Sequence, residues 1–149
     1  MGLKAHHTGV LTADVEASLR FYRDGLGLDL LSDVSDVTGD WPGVFGLGSR
    51  RARTISLGDA NDRSAGVVEL IVFEDFEPGP EGPPTEARGL LLVSFLGLDV
   101  DATLYRLARF GIHPVGRIEA RTATAKVDVA TVRDPNGVLV ELVGLARPL

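Results

Sequence analysis

The sequence contains no cysteine among its 149 residues. Disulfide frameworks, thiolate zinc sites and cysteine nucleophiles are therefore excluded. Basic residues are also scarce, since 15 Lys and Arg stand against 21 Asp and Glu and the formal net charge is −6. Because binding to phosphates needs clustered basic side chains, we expect no nucleic-acid partner.

Long hydrophobic runs are missing as well. The longest, from Leu90 to Leu98, is interrupted by Ser94 and Gly97. It is shorter than the ~18 apolar residues that a membrane helix needs, and no apolar signal-peptide segment follows Lys4. These absences predict a cytoplasmic protein with no membrane partner. The hydrophobic share of 44% is enough for one compact domain with a core.

The spacing of apolar residues predicts short strands and two helices. Asp14 is a suitable N-cap for a helix over 15–26, and a second helix over 100–110 ends at Gly111. The stretch 39–49 is rich in turn residues and holds the only Trp. Strands are predicted at 4–11, 28–35, 50–57, 66–73, 90–98, 114–119, 126–133 and 138–144.

Two pairs of similar segments indicate that the chain contains an internal repeat. The segment DVEASL at 14–19 matches DVDATL at 99–104, at an offset of 85 residues, and VVELIV at 67–72 matches LVELVG at 139–144. The predicted strands and helices recur in the same order. We therefore expect two βαβββ modules that pack as a pseudo-symmetric pair and form a curved, half-open sheet around a cavity, an α+β fold.

The predicted modules lie on either side of a proline-rich stretch. Four prolines between residues 74 and 86 exclude a helix or a central strand there. The single domain, 1–149, would thus consist of module 1 at about 3–73, a linker at about 74–88 and module 2 at about 89–145.

A glutamate lies inside each of the two similar predicted strands, at 67–72 and 139–144. Glu69 is flanked by Val68 and Leu70, and Glu141 by Val140 and Leu142. Strand side chains alternate, so each glutamate faces away from its apolar neighbours. If the strands are central, both carboxylates point inward, and burial without a cation is costly. The pair therefore indicates one shared cation, and the alternative is two solvent-facing strand glutamates.

His7 lies in the first predicted strand, with His6 beside it. Neighbouring strand residues face opposite ways, so at most one of them points inward. A neutral imidazole suits a divalent ion in a mixed nitrogen and oxygen site. The alternative is a surface histidine or one that hydrogen-bonds within the core.

Three segments together resemble the vicinal oxygen chelate superfamily. They are HHTGVLTADVEASLRFYRDGLGLDL at 6–30, VVELIVF at 67–73 and RDPNGVLVELVG at 133–144. This superfamily includes glyoxalase I, methylmalonyl-CoA epimerase, extradiol dioxygenases, and the fosfomycin- and bleomycin-resistance proteins. The resemblance covers nearly the whole chain and agrees with the doubled βαβββ pattern.

The resemblance implies a metal site on the first and last strand of each module. Carried over by position, the ligands are His7, Glu69 and Glu141, and the metal would be Ni, Co, Mn, Fe or Zn. The fourth ligand falls on Leu92, 85 residues after His7, where members with a full site usually have histidine. Leucine cannot bind a metal, and Ser94, which shares its face, is a poor substitute, so an absent metal is the alternative.

The function that the resemblance implies is a glyoxalase-like lyase, isomerase or epimerase. It would act on a small carbonyl or vicinal-oxygen substrate through an enolate or enediolate, with Glu69 or Glu141 as the base. The alternative is a small-molecule-binding protein of the bleomycin-resistance type, and a dioxygenase is disfavoured because the ligand set is rich in carboxylates. The family also implies a homodimer.

Further residues are candidates for the substrate pocket. Arg53 lies on a strand expected to border the cavity and could bind an anionic group, although a solvated face is the alternative. Trp41 lies among glycines that would permit a moving apolar lid, or it covers one end of the core. Leu92 and Ser94 complete this set of pocket residues.

Overall fold

The computed structural model describes residues 2–80 and 88–149. The chain folds into two compact units, each with its own sheet. The first comprises the described residues up to Arg23 and Gly27–Pro80, and the second comprises Asp24–Leu26 and the described residues from Arg88 onward. Of the predicted linker, residues 81–87 lie outside the described residues, and 74–80 contain neither helix nor strand.

The first sheet has the strand order β1-β4-β3-β2. Strand β1 is parallel to β4, and the other neighbours are antiparallel. Its elements are β1 (His7–Leu11), α1 (Val15–Leu19) followed by a π-helix (Arg20–Gly25), β2 (Asp29–Thr38), α2 (Trp41–Phe45), β3 (Arg51–Gly58) and β4 (Val67–Phe73).

The second sheet repeats this arrangement with the order β5-β8-β7-β6. Again the first strand is parallel to the last, and the remaining neighbours are antiparallel. The equal strand order confirms the predicted α+β fold built from βαβββ repeats. The elements are β5 (Val93–Leu98), α3 (Val100–Ala108), β6 (Gly116–Arg121), β7 (Ala125–Arg133), β8 (Leu139–Gly144) and β9 (Arg147–Pro148), which pairs with β7.

Three local details differ from the predicted elements. Residues 39–49 contain the short helix α2, because Pro42 fits a first helical turn and Gly46, at φ 74°, ends it. The first helix is α-helical only to Leu19 and continues as a π-helix. Strand β5 begins at Val93, so the predicted strand residues 90–92 precede it.

The two similar strands, β4 and β8, are central in their sheets, and their apolar residues form the core. Val68 and Leu70 of β4 and Val140 and Leu142 of β8 are almost completely buried. Helix α1 packs on β4, and α3 packs on β7 and β8. This burial stabilises each sheet and fixes which way the alternate side chains of β4 and β8 face.

A tight turn joins β7 to β8, as the sequence predicts. Asp134 accepts hydrogen bonds from the backbone N–H of Asn136 and of Val138, both at 2.8 Å. The turn holds the start of β8 in register with β7 and so sets the position of Glu141. Within residues 2–80 and 88–149, no helix is long and apolar enough to cross a membrane.

Candidate functional site

Glu69 lies at the middle of β4, on the face opposite Val68 and Leu70. Its neighbours across the sheet are Gly9 of β1 and Ser56 of β3. Paired residues share a face, so these three residues lie in one row. Glu69 is half-buried, and it makes no hydrogen bond through its carboxylate to any described residue.

His7 lies on the same face as Glu69. It pairs with Val67, two residues before the pair of Gly9 and Glu69, and residues two apart in a strand face the same way. Its imidazole Nδ1 is 2.9 Å from the Nδ1 of His6. The sequence predicted that these two histidines face opposite sides of a strand. His6 instead precedes β1, and the two rings contact each other.

Glu141 has the equivalent place in the second sheet. It lies at the middle of β8 between Ser94 of β5 and Thr131 of β7. The Ser94 hydroxyl donates a hydrogen bond of 2.7 Å to Glu141 Oε2. Glu141 is half-buried, whereas the flanking Val140 and Leu142 are fully buried on the opposite face.

The strand register also defines the counterpart of His7. Gly9 pairs with Glu69 in the first sheet, and Ser94 pairs with Glu141 in the second. The residue two positions before Gly9 is His7, and the residue two positions before Ser94 is Leu92. Leu92 is therefore the counterpart of His7 in the second sheet, and its side chain offers no donor atom.

Arg53 lies on the other face of the first sheet. It pairs with Val72, whereas Ser56 pairs with Glu69, and side chains at odd separation in a strand face opposite ways. Its guanidinium donates two hydrogen bonds to Asp33, at 2.9 and 2.8 Å. These bonds hold the pKa of Asp33 below its ordinary value. Arg53 is thus bound to a carboxylate and does not join Glu69.

Trp41 belongs to an aromatic cluster at one end of the first sheet. It stacks on Phe45 at a ring separation of 5.7 Å, and Phe45 in turn lies 6.3 Å from Phe73. Phe73 is four residues along β4 from Glu69 and shares its face, which places it about 13 Å away along the strand. The cluster therefore covers the distal end of the Glu69 face.

The donor atoms suit a divalent ion in their chemistry. An imidazole and a carboxylate on one face of adjacent strands are ligands for Ni, Co, Mn, Fe or Zn, and the second sheet carries a carboxylate of its own at Glu141. Across the described residues, no three His, Asp or Glu side chains form a group that could hold a metal ion. The geometry thus supplies the pair of His7 and Glu69 in one sheet and Glu141 in the other.

Comparison with known proteins identifies the family. The family model of the Glyoxalase/Bleomycin resistance protein/Dioxygenase superfamily matches residues 4–142. The chain therefore belongs to this superfamily. The lactoylglutathione lyase-like protein terB of Aspergillus terreus is 36% identical to it, over 96% of this chain and 75% of that protein.

Solved structures agree on the fold. A glyoxalase family protein from Bacillus cereus matches with a TM-score of 0.76 at 22% identity, over 97% of this chain and 95% of that one. Glyoxalase I of Leishmania major matches with a TM-score of 0.63 at 22% identity, over 96% of this chain and 87% of that one. At these identities the likeness shows the fold alone.

Sequence reasoning missed two residues on the Glu69 side of the first sheet. His6 contacts the His7 ring, and Arg63 lies in the loop between β3 and β4, beside the edge of that face. The doublet of histidines was a usable signal for His6. No pattern marks Arg63, because its loop position depends on how β3 and β4 pair.

Proposed function

We propose that the protein is a metal-dependent lyase or isomerase that acts on a small carbonyl or vicinal-oxygen substrate. The metal would be held by His7, Glu69 and Glu141. The observation that carries the proposal is the placement of His7 and Glu69 on one face of adjacent strands, with Glu141 at the equivalent place of the repeat. The family membership and the lactoylglutathione lyase-like relative support the same chemistry.

The bound ion would supply positive charge beside the substrate oxygens as negative charge develops on them. Three protein ligands leave coordination positions open for substrate, as catalytic sites require. The contact between His6 and His7 fits this role. When His7 Nδ1–H donates to His6, the lone pair of His7 Nε2 is free to bind a metal.

The proton transfer falls to one of the two glutamates. A carboxylate takes the proton from the carbon next to the carbonyl, which leaves an enolate or enediolate, and returns it to the neighbouring carbon. Glu141 accepts a hydrogen bond from Ser94, which fixes the orientation of its carboxylate. Glu69 makes no hydrogen bond to a described residue. We therefore assign the base to Glu69 and a purely ligating role to Glu141.

The test is deuterium exchange at the carbon next to the carbonyl. Proton NMR in heavy water would follow methylglyoxal mixed with glutathione, and acyl-CoA substrates, with chelator-treated protein before and after each metal is added. We expect exchange only with metal, and a loss of at least about a hundredfold in Glu69→Gln. Glu16→Gln, an exposed carboxylate on α1, is the matched control. Exchange that survives in Glu69→Gln would contradict the assignment.

Leu92 favours one second candidate, a binding protein without catalysis. Leucine at position 92 is apolar and offers no ligand atom. Among the described residues, no three His, Asp or Glu side chains form a group that could hold a metal ion. Such a protein would bind ligand equally well with and without metal, and it would show no exchange. The homodimer implied by the family resemblance and the cytoplasmic location expected from the sequence remain predictions.

A further inference from the structure

A cavity of about 320 Å³ lies on the first sheet. It is lined by His6, Leu31, Ser32, Ser56, Arg63 and Val67. Ser32 pairs with Ser56, and Ser56 pairs with Glu69, so a row of polar side chains crosses from β2 to β4 on one face. The cavity therefore opens on the face that carries Glu69 and His7.

Arg63 is the cation at this cavity, and its guanidinium has donors to spare. One Nη2 donates to the backbone carbonyl of Leu31, which anchors the side chain at the rim. Within residues 2–80 and 88–149, no carboxylate forms an ion pair with it. Arg51, Arg53 and Arg117, by contrast, are each paired with aspartates.

The other groups at the cavity are also suited to an anion. The hydroxyls of Ser32 and Ser56 are half-buried and make no hydrogen bond to described residues. The nearby Asp62 carboxylate is turned into its own loop, where it accepts hydrogen bonds from Ser64 N–H and Ser64 Oγ. Hydroxyl and guanidinium donors are thus left facing a space that a small molecule can enter.

We propose that this cavity binds an oxyanion on the substrate, with Arg63 as its anchor and Ser32 and Ser56 as further donors. An arginine fork binds carboxylate or phosphate through two parallel hydrogen bonds. Adjacent strands lie about 4.8 Å apart, so a carbonyl group close to the bound anion reaches the Glu69 strand. The substrate class is a small carbonyl compound that carries an acidic group. The reaction of this substrate rests on the proposed function, whereas the binding of its acidic group does not.

The test measures anion binding by the chelator-treated chain of residues 1–149, so that no metal competes for the anion. Amide NMR titrations would use pyruvate, inorganic phosphate and the neutral pyruvamide. We expect the tighter of the two anions to shift the amides of Ser32, Ser56 and Arg63, and pyruvamide to bind at least about tenfold more weakly, because a charged hydrogen bond is lost. The anion that binds more tightly identifies the acidic group.

Three variants make the result decisive. Arg63→Gln should weaken anion binding about tenfold or more. The affinity of Arg63→Lys should lie between those of the wild type and Arg63→Gln, because lysine keeps the positive charge but cannot form two parallel hydrogen bonds. Arg53→Gln, on the opposite face and paired with Asp33, should bind as the wild type does. The proposal is overturned by unchanged binding in Arg63→Gln, by equal binding of pyruvamide, or by no binding of either anion. None of these outcomes affects metal-dependent exchange, so the two proposals fail separately.

Discussion

The Leu92→His variant should bind a divalent metal at least roughly tenfold more tightly than the wild type. The strand register makes Leu92 the counterpart of His7, two residues before the strand partner of a central glutamate. An imidazole there would add a nitrogen donor to the three proposed ligands His7, Glu69 and Glu141. Tenfold corresponds to about 1.4 kcal/mol of binding free energy, and competition with a metal-sensitive dye measures it.

Leu91→His is the control for this gain. Leu91 is the neighbouring residue, it is 56% exposed, and an extended chain turns its side chain to the opposite face from Leu92. Its histidine should leave the affinity within about twofold, as expected for an imidazole outside the site. An equal gain in both variants, or none in Leu92→His, would show that position 92 is not part of a metal site.

The Leu70→Ala variant should lose about 2–5 kcal/mol of unfolding free energy. Leu70 is completely buried in the central strand, between Val10 and Ile55 of its neighbours, so truncation leaves a cavity that the sheet cannot close. For a chain of this length the midpoint of thermal unfolding should fall by about 10 °C. Chemical denaturation followed by circular dichroism gives the free energy directly.

Leu145→Ala provides the comparison, because Leu145 is 70% exposed. Its stability should stay within about 0.5 kcal/mol of the wild type. Leu70 also lies next to Glu69 in the strand. A Leu70→Ala protein as stable as Leu145→Ala would mean that β4 is not the core strand. The orientation assigned to Glu69 would then also be wrong.

The fold was predictable because periodicity and repetition point to the same elements. The similar segments around Glu69 and Glu141 mark the two central strands, and both have the alternation of a half-buried strand. The short helix α2 was missed because its glycines and proline favour turns locally. The π-helix after α1 contains the fully buried Phe21 and Tyr22, and no local pattern distinguishes it from an α-helix.

The candidate site was predictable only in part. Alternation within one strand places Glu69 and Glu141 opposite their apolar neighbours, and this needs no tertiary information. The face of Arg53 depends on its register with β4, and the position of Arg63 depends on a loop. Ser94 was identified as sharing a face with Leu92, but its hydrogen bond to Glu141 follows from the parallel pairing of β5 with β8.

The metal content of the purified protein tests the proposed metal site without a substrate. The chain would be purified without a histidine tag and without chelator, and analysed by elemental mass spectrometry beside Glu69→Ala, Glu141→Ala and the control Glu16→Ala. We expect near-stoichiometric Ni, Co, Mn, Fe or Zn in the wild type and in Glu16→Ala, and the loss of this metal in Glu69→Ala and Glu141→Ala. A wild-type protein that holds no metal, even after an excess of each ion is supplied, would contradict the proposed metal site.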